Sequence, residues 1–329
     1  MDYSLLKLCQ SKECMKKMNV WHIVAVSTVV ALLAVVVVKV YPSYPSGKVG
    51  VLFYYSTSVH EDRKEFRATE EGIALLPVGP HTPIFIVIHG YTESSIRPWV
   101  VSLTNALLAH DTKSVVILVD YWDLLTISRP YMMINVRNIA NITASMIDLL
   151  VVEKGVKLTN IHVMGFSLGG RIGGLVGDRI QTGTIGRITG IDASYPWLPP
   201  KTKDEFLDAG DASLVVNIRT SFIGSYSPPG HIDFYANGGL SQPGCDDWFL
   251  PNQAHQVCNH YRSVALMIEA VKHADDTVFP ACGCPDWESF KNHTCDCQTV
   301  NNFGLYPNTS ALGKFYFSTN SEPPYSRPL

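Results

Sequence analysis

The chain is short of charge. Only 17% of its 329 residues are Asp, Glu, Lys or Arg, and the formal net charge is -3. No positive field exists to hold a phosphate backbone, so a nucleic-acid partner is excluded. Internal repeats and low-complexity tracts are also missing, and hydrophobic residues reach 46%, which excludes a disordered or fibrous protein. A chain this long has room for one large domain or two ordinary ones.

The surplus hydrophobicity is concentrated in one place. Val20 to Val38 carries no Asp, Glu, Lys or Arg. As a helix rising about 1.5 Å per residue it covers roughly 28 Å, close to the thickness of bilayer hydrocarbon. Lys7, Lys12, Lys16 and Lys17 precede the run and only Lys39 and Lys48 follow closely, a bias that keeps the N-terminus cytosolic. The reading is a type II signal anchor: a cytosolic tail over 1–19, a span over 20–38, a linker over 39–48 and a lumenal or extracellular domain over 49–329. The alternative is a cleaved signal peptide and a secreted protein. Its shorter apolar region and small-residue cleavage site are not matched by the ending Lys39-Val40-Tyr41-Pro42.

Beyond the span stand six cysteines, Cys245, Cys258, Cys282, Cys284, Cys295 and Cys297. Cys282-Gly-Cys284 and Cys295-Asp-Cys297 nest, which pairs Cys284 with Cys295 and Cys282 with Cys297 and leaves Cys245 for Cys258. A zinc cluster is the rival, disfavoured because an oxidising compartment converts thiolates to disulfides. Asn141-Ile-Thr143, Asn292-His-Thr294 and Asn308-Thr-Ser310 are glycosylation sequons that suit the same side of the membrane.

From Val49 onward, apolar β-rich runs at 49–55, 84–89, 114–119, 161–165, 187–191 and 214–218 alternate with helical patterns such as 136–152, 169–180 and 261–272. Alternation of this kind builds an α/β fold: a mainly parallel sheet with helices on both faces and ligands at the carboxyl ends of the strands. There the run Ile161-His-Val-Met164 passes directly into Gly165-Phe-Ser167-Leu-Gly169. A Gly-x-Ser-x-Gly turn between strand and helix lifts its serine hydroxyl above the sheet, which marks Ser167 as a candidate nucleophile. A serine needs a histidine to take its proton and a carboxylate to orient that histidine. Asp192 follows the next core strand, a position that suits the acid but equally suits a residue capping a turn. Among the later histidines, His231 opens a strand-like run and reads as structural, and His255 lies in the loop between Cys245 and Cys258. His260 comes two residues after Cys258 and before a helix, so a disulfide would pin the loop presenting it.

These motifs, with Ile84-Phe-Ile-Val-Ile-His-Gly-Tyr91, Val119-Asp-Tyr121, Ile188-Thr-Gly-Ile-Asp192, Gly230-His-Ile-Asp-Phe-Tyr235, Gln242-Pro-Gly-Cys245, Cys258-Asn-His260 and the closing Gly313-Lys-Phe-Tyr-Phe317, resemble the pancreatic lipase family of neutral lipases and phospholipases A1. The resemblance implies an α/β-hydrolase fold with Ser167, Asp192 and His260 as nucleophile, acid and base, and the amides of Tyr91 and Leu168 receiving the oxyanion. It places the lid between Cys245 and Cys258, with Trp248, Phe249 and Leu250 facing a lipid surface. Only twelve residues separate those cysteines, and the connection 220–230 is also short, which favours phospholipase A1 activity over triacylglycerol lipase activity. Relatives that bind lipid or a partner without catalysis typically lose the serine or histidine, whereas all three residues stand here.

Departures accompany the matches. Phe166 occupies a place usually held by His, Gly170 one commonly held by Ala, and Ala193-Ser194 replaces the usual Pro-Ala after the acid. Some family members bind calcium after the acid. Asp208 and Asp211 match those carboxylates, but Lys203 takes a usually acidic position and Phe206 a usually basic one, so no cofactor is required and a structural calcium at Asp208 and Asp211 stays the weaker alternative. The C-terminal β-sandwich of the larger lipases is expected to be absent.

Overall fold

The computed structural model describes residues 50–126, 132–194, 206–224, 229–245, 253–276, 279–295 and 297–328. In chain order they form β1 (Leu52–Ser56), β2 (Lys64–Phe66), α1 (Glu70–Ala74), β3 (Ile84–Ile88), α2 (Pro98–His110), β4 (Val115–Asp120), α3 (Trp122–Thr126) and α4 (Met132–Lys154). These are followed by β5 (Ile161–Phe166), α5 (Leu168–Gly177), β6 (Arg187–Ile191), β7 (Leu214–Arg219) and β8 (Ile232–Ala236). The last elements are α6 (Gln253–Lys272), β9 (Phe279–Gly283), α7 (Trp287–Lys291), β10 (Val300–Phe303) and β11 (Gly313–Phe317).

The strands make one sheet in the order β10-β9-β11-β8-β7-β6-β5-β3-β4-β1-β2. Its centre, from β4 to β11, is parallel, and antiparallel pairs close both sides, β1 on β4 and β9 on β11. Every residue of β3, β4 and β5 is buried, as expected of parallel strands covered on both faces. Successive side chains point to opposite faces. Ile84, Ile86 and Ile88 therefore enter one core with α4 and α5 (Val136, Ile139, Ile172, Leu175). Phe85 and Val87 enter the other with α2 and α6 (Leu103, Leu107, Val264, Met267).

Register fixes the level of the site. Ile88 on β3 lies opposite Gly165 on β5, and Phe166 on β5 lies opposite Ile191 on β6. The residues that follow, Gly90–Tyr91, Ser167 and Asp192, consequently emerge side by side at one end of the sheet.

Sequence analysis places the core strands and α4 correctly. The edge strands β2 and β10, the adjoining β9 and helix α2 are not anticipated, because the strands are short and α2 begins with Pro98 at its first turn rather than with a side-chain cap. One correction concerns His260, expected in a loop before a helix: it lies inside α6, which already starts at Gln253. From 253 to 258 no Gly or Pro interrupts the helix and Gln and Ala favour it, so the cysteine is a helical residue rather than a loop anchor.

Among the described residues the disulfides are Cys245–Cys258, Cys282–Cys297 and Cys284–Cys295, so the zinc alternative has no free thiolate among these six sulfurs. Among the described residues no helix is long and apolar enough to cross a membrane. The run 20–38, its flanks 1–19 and 39–48, and the lid residues Trp248, Phe249 and Leu250 lie outside the described residues. Asn141, Asn292 and Asn308 are all exposed.

Candidate active site

Between β5 and α5 the chain must reverse within a residue or two. Ser167 takes φ 55° and ψ -122° to do so, a region a side chain avoids and one that costs of order 1–3 kcal/mol where it occurs. The flanking glycines are required by close approach. A Cβ on Gly165 would stand 2.2 Å from the carbonyl oxygen of Gly169, and one on Gly169 would stand 2.2 Å from that of Ile88. The Ser167 amide donates to Ile191 O at 3.0 Å and its carbonyl accepts from Gly170 and Ser194, so the elbow is locked to β6 as well as to its own helix.

Asp192 leaves β6 with φ 46° and is fully buried. Its Oδ1 accepts the amides of Thr220 at 2.8 Å and Ser221 at 3.3 Å, and its Oδ2 accepts the Ser221 hydroxyl and His260 Nδ1, the latter at 2.6 Å. A buried carboxylate with four donors around it is held in one orientation. Because the carboxylate can only accept, His260 Nδ1 donates, and Nε2 is left as the basic nitrogen. The imidazole is 9% exposed and is backed by the Phe166 ring, 4.6 Å between centroids. Phe166, at the position where the family usually has His, thus acts as a wall for His260, while Trp99 and Tyr261 pack on the same ring.

The structure brings Asp192 and His260 into direct contact and sets Ser167 beside them on the neighbouring strand end. Among the described residues the Ser167 hydroxyl is hydrogen-bonded to Ser194 Oγ at 2.9 Å rather than to His260. Leu168 opens α5, so its amide is one of the helix N-terminal donors with no partner inside the helix. Tyr91 lies in the loop after β3, where Thr92 also has a positive φ of 58°.

That loop is held by a residue the sequence reading passes over. Glu93 is 2% exposed. Its carboxylate accepts from the Gly90 amide and from Trp99 Nε1, each at 2.9 Å, and from the Tyr261 hydroxyl at 2.6 Å. It therefore ties the loop after β3 to α2 and to the neighbour of His260 on α6. The available signal is an acidic residue three positions after Gly90 inside an otherwise uncharged stretch. On the other side of the loop, His89 Nδ1 bonds Gly90 O at 2.9 Å, and the Tyr121 hydroxyl donates to His89 O. Burial first, and then Glu93, pushes the Tyr121 phenol well above its usual range, so it stays a donor.

The remaining histidines are elsewhere. His231 accepts the Val215 amide at 2.9 Å and joins strands, the structural part expected of it. His255 meets Ser241 near the surface. Asp208 and Asp211 form a turn that caps itself: Asp211 Oδ2 accepts the Asp208 amide at 2.8 Å and Asp208 Oδ1 the Gly210 amide at 2.7 Å. Burial first, and then the neighbouring Asp178 and Asp208, lifts the Asp211 carboxyl to about 8. These side chains are thus engaged with their own backbone, and no step below is routed through a metal.

The description "Lipase" belongs to the family model that matches residues 42–325. Mouse Lipase member H is 30% identical over 258 residues, spanning 73% of this chain and 56% of that protein. Lipase member H-A of Xenopus laevis is 34% identical and human Phospholipase A1 member A 33% identical, each over 219 residues that cover 64% of this chain and 46% of the relative. The chain spans about half the length of the curated relatives it matches. A family model spanning the strands, the elbow, the acid turn and α6 leaves one conclusion: the chain belongs to the Lipase family.

Proposed function

We propose that this chain hydrolyses carboxylic esters of lipids by a Ser167–His260–Asp192 mechanism and acts as a phospholipase of the A1 type. The observation that carries the reading is the 2.6 Å bond from His260 Nδ1 to Asp192 Oδ2 beside a strained serine elbow. Ser167 Oγ attacks the ester carbonyl as its proton passes to His260 Nε2. The charge that grows on the carbonyl oxygen is received by the amides of Leu168 and Tyr91. His260 then protonates the leaving alcohol, and water repeats the sequence on the acyl-enzyme. The imidazolium formed at each stage is balanced by Asp192, which Thr220 and Ser221 hold in place.

The phospholipid preference rests on the twelve residues between Cys245 and Cys258, a lid too short to seal an apolar site, and on relatives that include Phospholipase A1 member A. A signal anchor at 20–38 would confine Ser167 to lipid near its own membrane, since a linker of about ten residues reaches no more than about 36 Å. Fatty-acid release by the full-length chain is to be compared on phosphatidylcholine vesicles and on triolein emulsion. Release from the vesicles that disappears in Ser167→Ala is the expected result. Release from triolein alone would make the protein a triacylglycerol lipase, and release unchanged by Ser167→Ala would remove the catalytic reading. Resistance to carbonate extraction is expected of the anchor; a soluble form beginning near Tyr41 in the medium would show a cleaved signal instead.

A further inference from the structure

The Ser167 hydroxyl carries a contact that the three-residue mechanism does not use. Ser194 Oγ lies 2.9 Å from Ser167 Oγ, and the Ser194 amide donates to Ser167 O at 3.1 Å. Ser194 is thus pinned to the elbow by its backbone while its side chain meets the reacting atom. The left-handed turn at Asp192 carries residues 193 and 194 back over the elbow, and Ala193 packs so closely on Gly170 that a Cβ there would meet it at 2.5 Å. Where the family usually has Pro-Ala, this chain has Ala193-Ser194, so the hydroxyl is an addition.

Which of the two hydroxyls donates follows from burial. Ser194 is 1% exposed and Ser167 8%, and among the described residues Ser194 Oγ has no acceptor besides Ser167. If Ser167 were the donor, the Ser194 proton would be buried without a partner, which costs about 1–3 kcal/mol. If Ser194 is the donor, the Ser167 proton stays free for His260 Nε2. We propose that Ser194 is a fourth catalytic side chain, a hydroxyl that donates to Ser167 Oγ and assists the departure of that oxygen from the acyl-enzyme. This rests on the hydrolase reading above.

The chemistry assigns the larger effect to deacylation. In the resting enzyme Ser167 Oγ is an alcohol oxygen and a good acceptor, so the Ser194 bond is already made before acylation and changes little on the way to its transition state. In the acyl-enzyme the same atom is an ester oxygen and a weak acceptor. Water adds to the acyl carbonyl as His260 Nε2 takes a water proton. The tetrahedral intermediate then collapses, the carbon–Oγ bond breaks, and Oγ takes that proton from His260 while the carboxylic acid leaves. Negative charge gathers on Oγ as the bond breaks, and the Ser194 bond strengthens there. An interaction stronger in the transition state than in the state before it is the kind that accelerates a step.

A carbamoylated serine isolates this step, because its breakdown is slow enough to be followed directly. The full-length chain and Ser194→Ala are to be treated with a p-nitrophenyl carbamate, and p-nitrophenolate release and the later return of esterase activity timed separately. Alanine is what the family usually carries at this position, so the variant folds. Return of activity about five- to tenfold slower in Ser194→Ala, with carbamoylation slowed less than twofold, is the expected result. Equal return in the two proteins overturns the proposal. So does a parallel slowing of both phases, which would mean that Ser194 only packs the elbow. A wild-type chain that is not carbamoylated, or is carbamoylated as fast after Ser167→Ala, would overturn the hydrolase reading itself.

Discussion

Ser167 and Asp192 stand on the ends of adjacent parallel strands, whereas His260 reaches Asp192 from a helix 68 residues further along the chain. The first two are placed by ladder hydrogen bonds in the most buried part of the sheet, Ser167 N to Ile191 O and Asp192 N to Ile218 O. The third is placed by the docking of α6 on the core through Val264, Met267 and Val271 and by the disulfide that joins its first turns to Cys245. The strand-borne half cannot move without breaking the sheet. The helix-borne half depends on side-chain packing, one covalent link and a few polar struts, and it is where a perturbation should reach the chemistry first.

The largest effect is expected where the two halves meet. Asp192→Asn keeps the volume and most hydrogen bonds but offers His260 the wrong partner, and kcat should fall about 10⁴-fold with the melting temperature little changed. Substituting Cys245 and Cys258 together by Ser frees a loop of 13 residues and should cost about 3 kcal/mol, read as an earlier urea midpoint. If the helix-borne half is the weaker one, activity in that variant should be lost at lower urea than the tryptophan signal of the core.

Glu93→Gln tests the strut that spans both halves. The amide keeps one acceptor and turns its NH2 either toward the Gly90 amide or toward Trp99 Nε1 and the Tyr261 hydroxyl, which already donate. A stability loss of about 1–3 kcal/mol is expected, together with a kcat about tenfold lower as Tyr91 loses its aim. Unchanged kcat with lowered stability would make Glu93 a core residue only.

The smallest effect concerns the far end of β5. His162 is buried against Phe85 and bonds Thr189 Oγ1 at 2.7 Å. Burial first, and then Arg187, holds its pKa well below the usual value. The folded state therefore keeps it neutral while the unfolded chain protonates it near pH 6.5, so its contribution is present above that pH and is lost as pH falls below it. The drop in melting temperature between pH 7.5 and pH 5 should be about 2 °C smaller in His162→Gln than in the wild type. Activity should not follow, since this end of the strand is remote from Ser167.

Much of this was legible in the sequence, and unevenly so. The all-apolar runs at β3, β4 and β5 announce a parallel sheet because both faces must be covered. Gly165 and Gly169 announce the elbow because nothing larger fits there. Nested cysteines announce their own pairing. Glu93 is invisible by comparison: a single carboxylate in a loop says nothing until Gly90, Trp99 and Tyr261 are seen to converge on it. Ser194 reads only as a departure from a usual Pro-Ala.

What the sequence by itself determined is therefore local: which residues form strands, where the chain turns sharply, and which side chains have the chemistry for nucleophile, acid and base. These follow from steric limits and burial patterns that act over a few residues. Tertiary structure alone decided that His260, already singled out by its motif, meets Asp192 through Nδ1, that α6 extends back past Cys258, and that Ser167 rests on Ser194. Each of these depends on how β6, the turn after it and α6 settle against a common core, and contacts between residues tens of positions apart are set by that packing rather than by any short pattern in the chain.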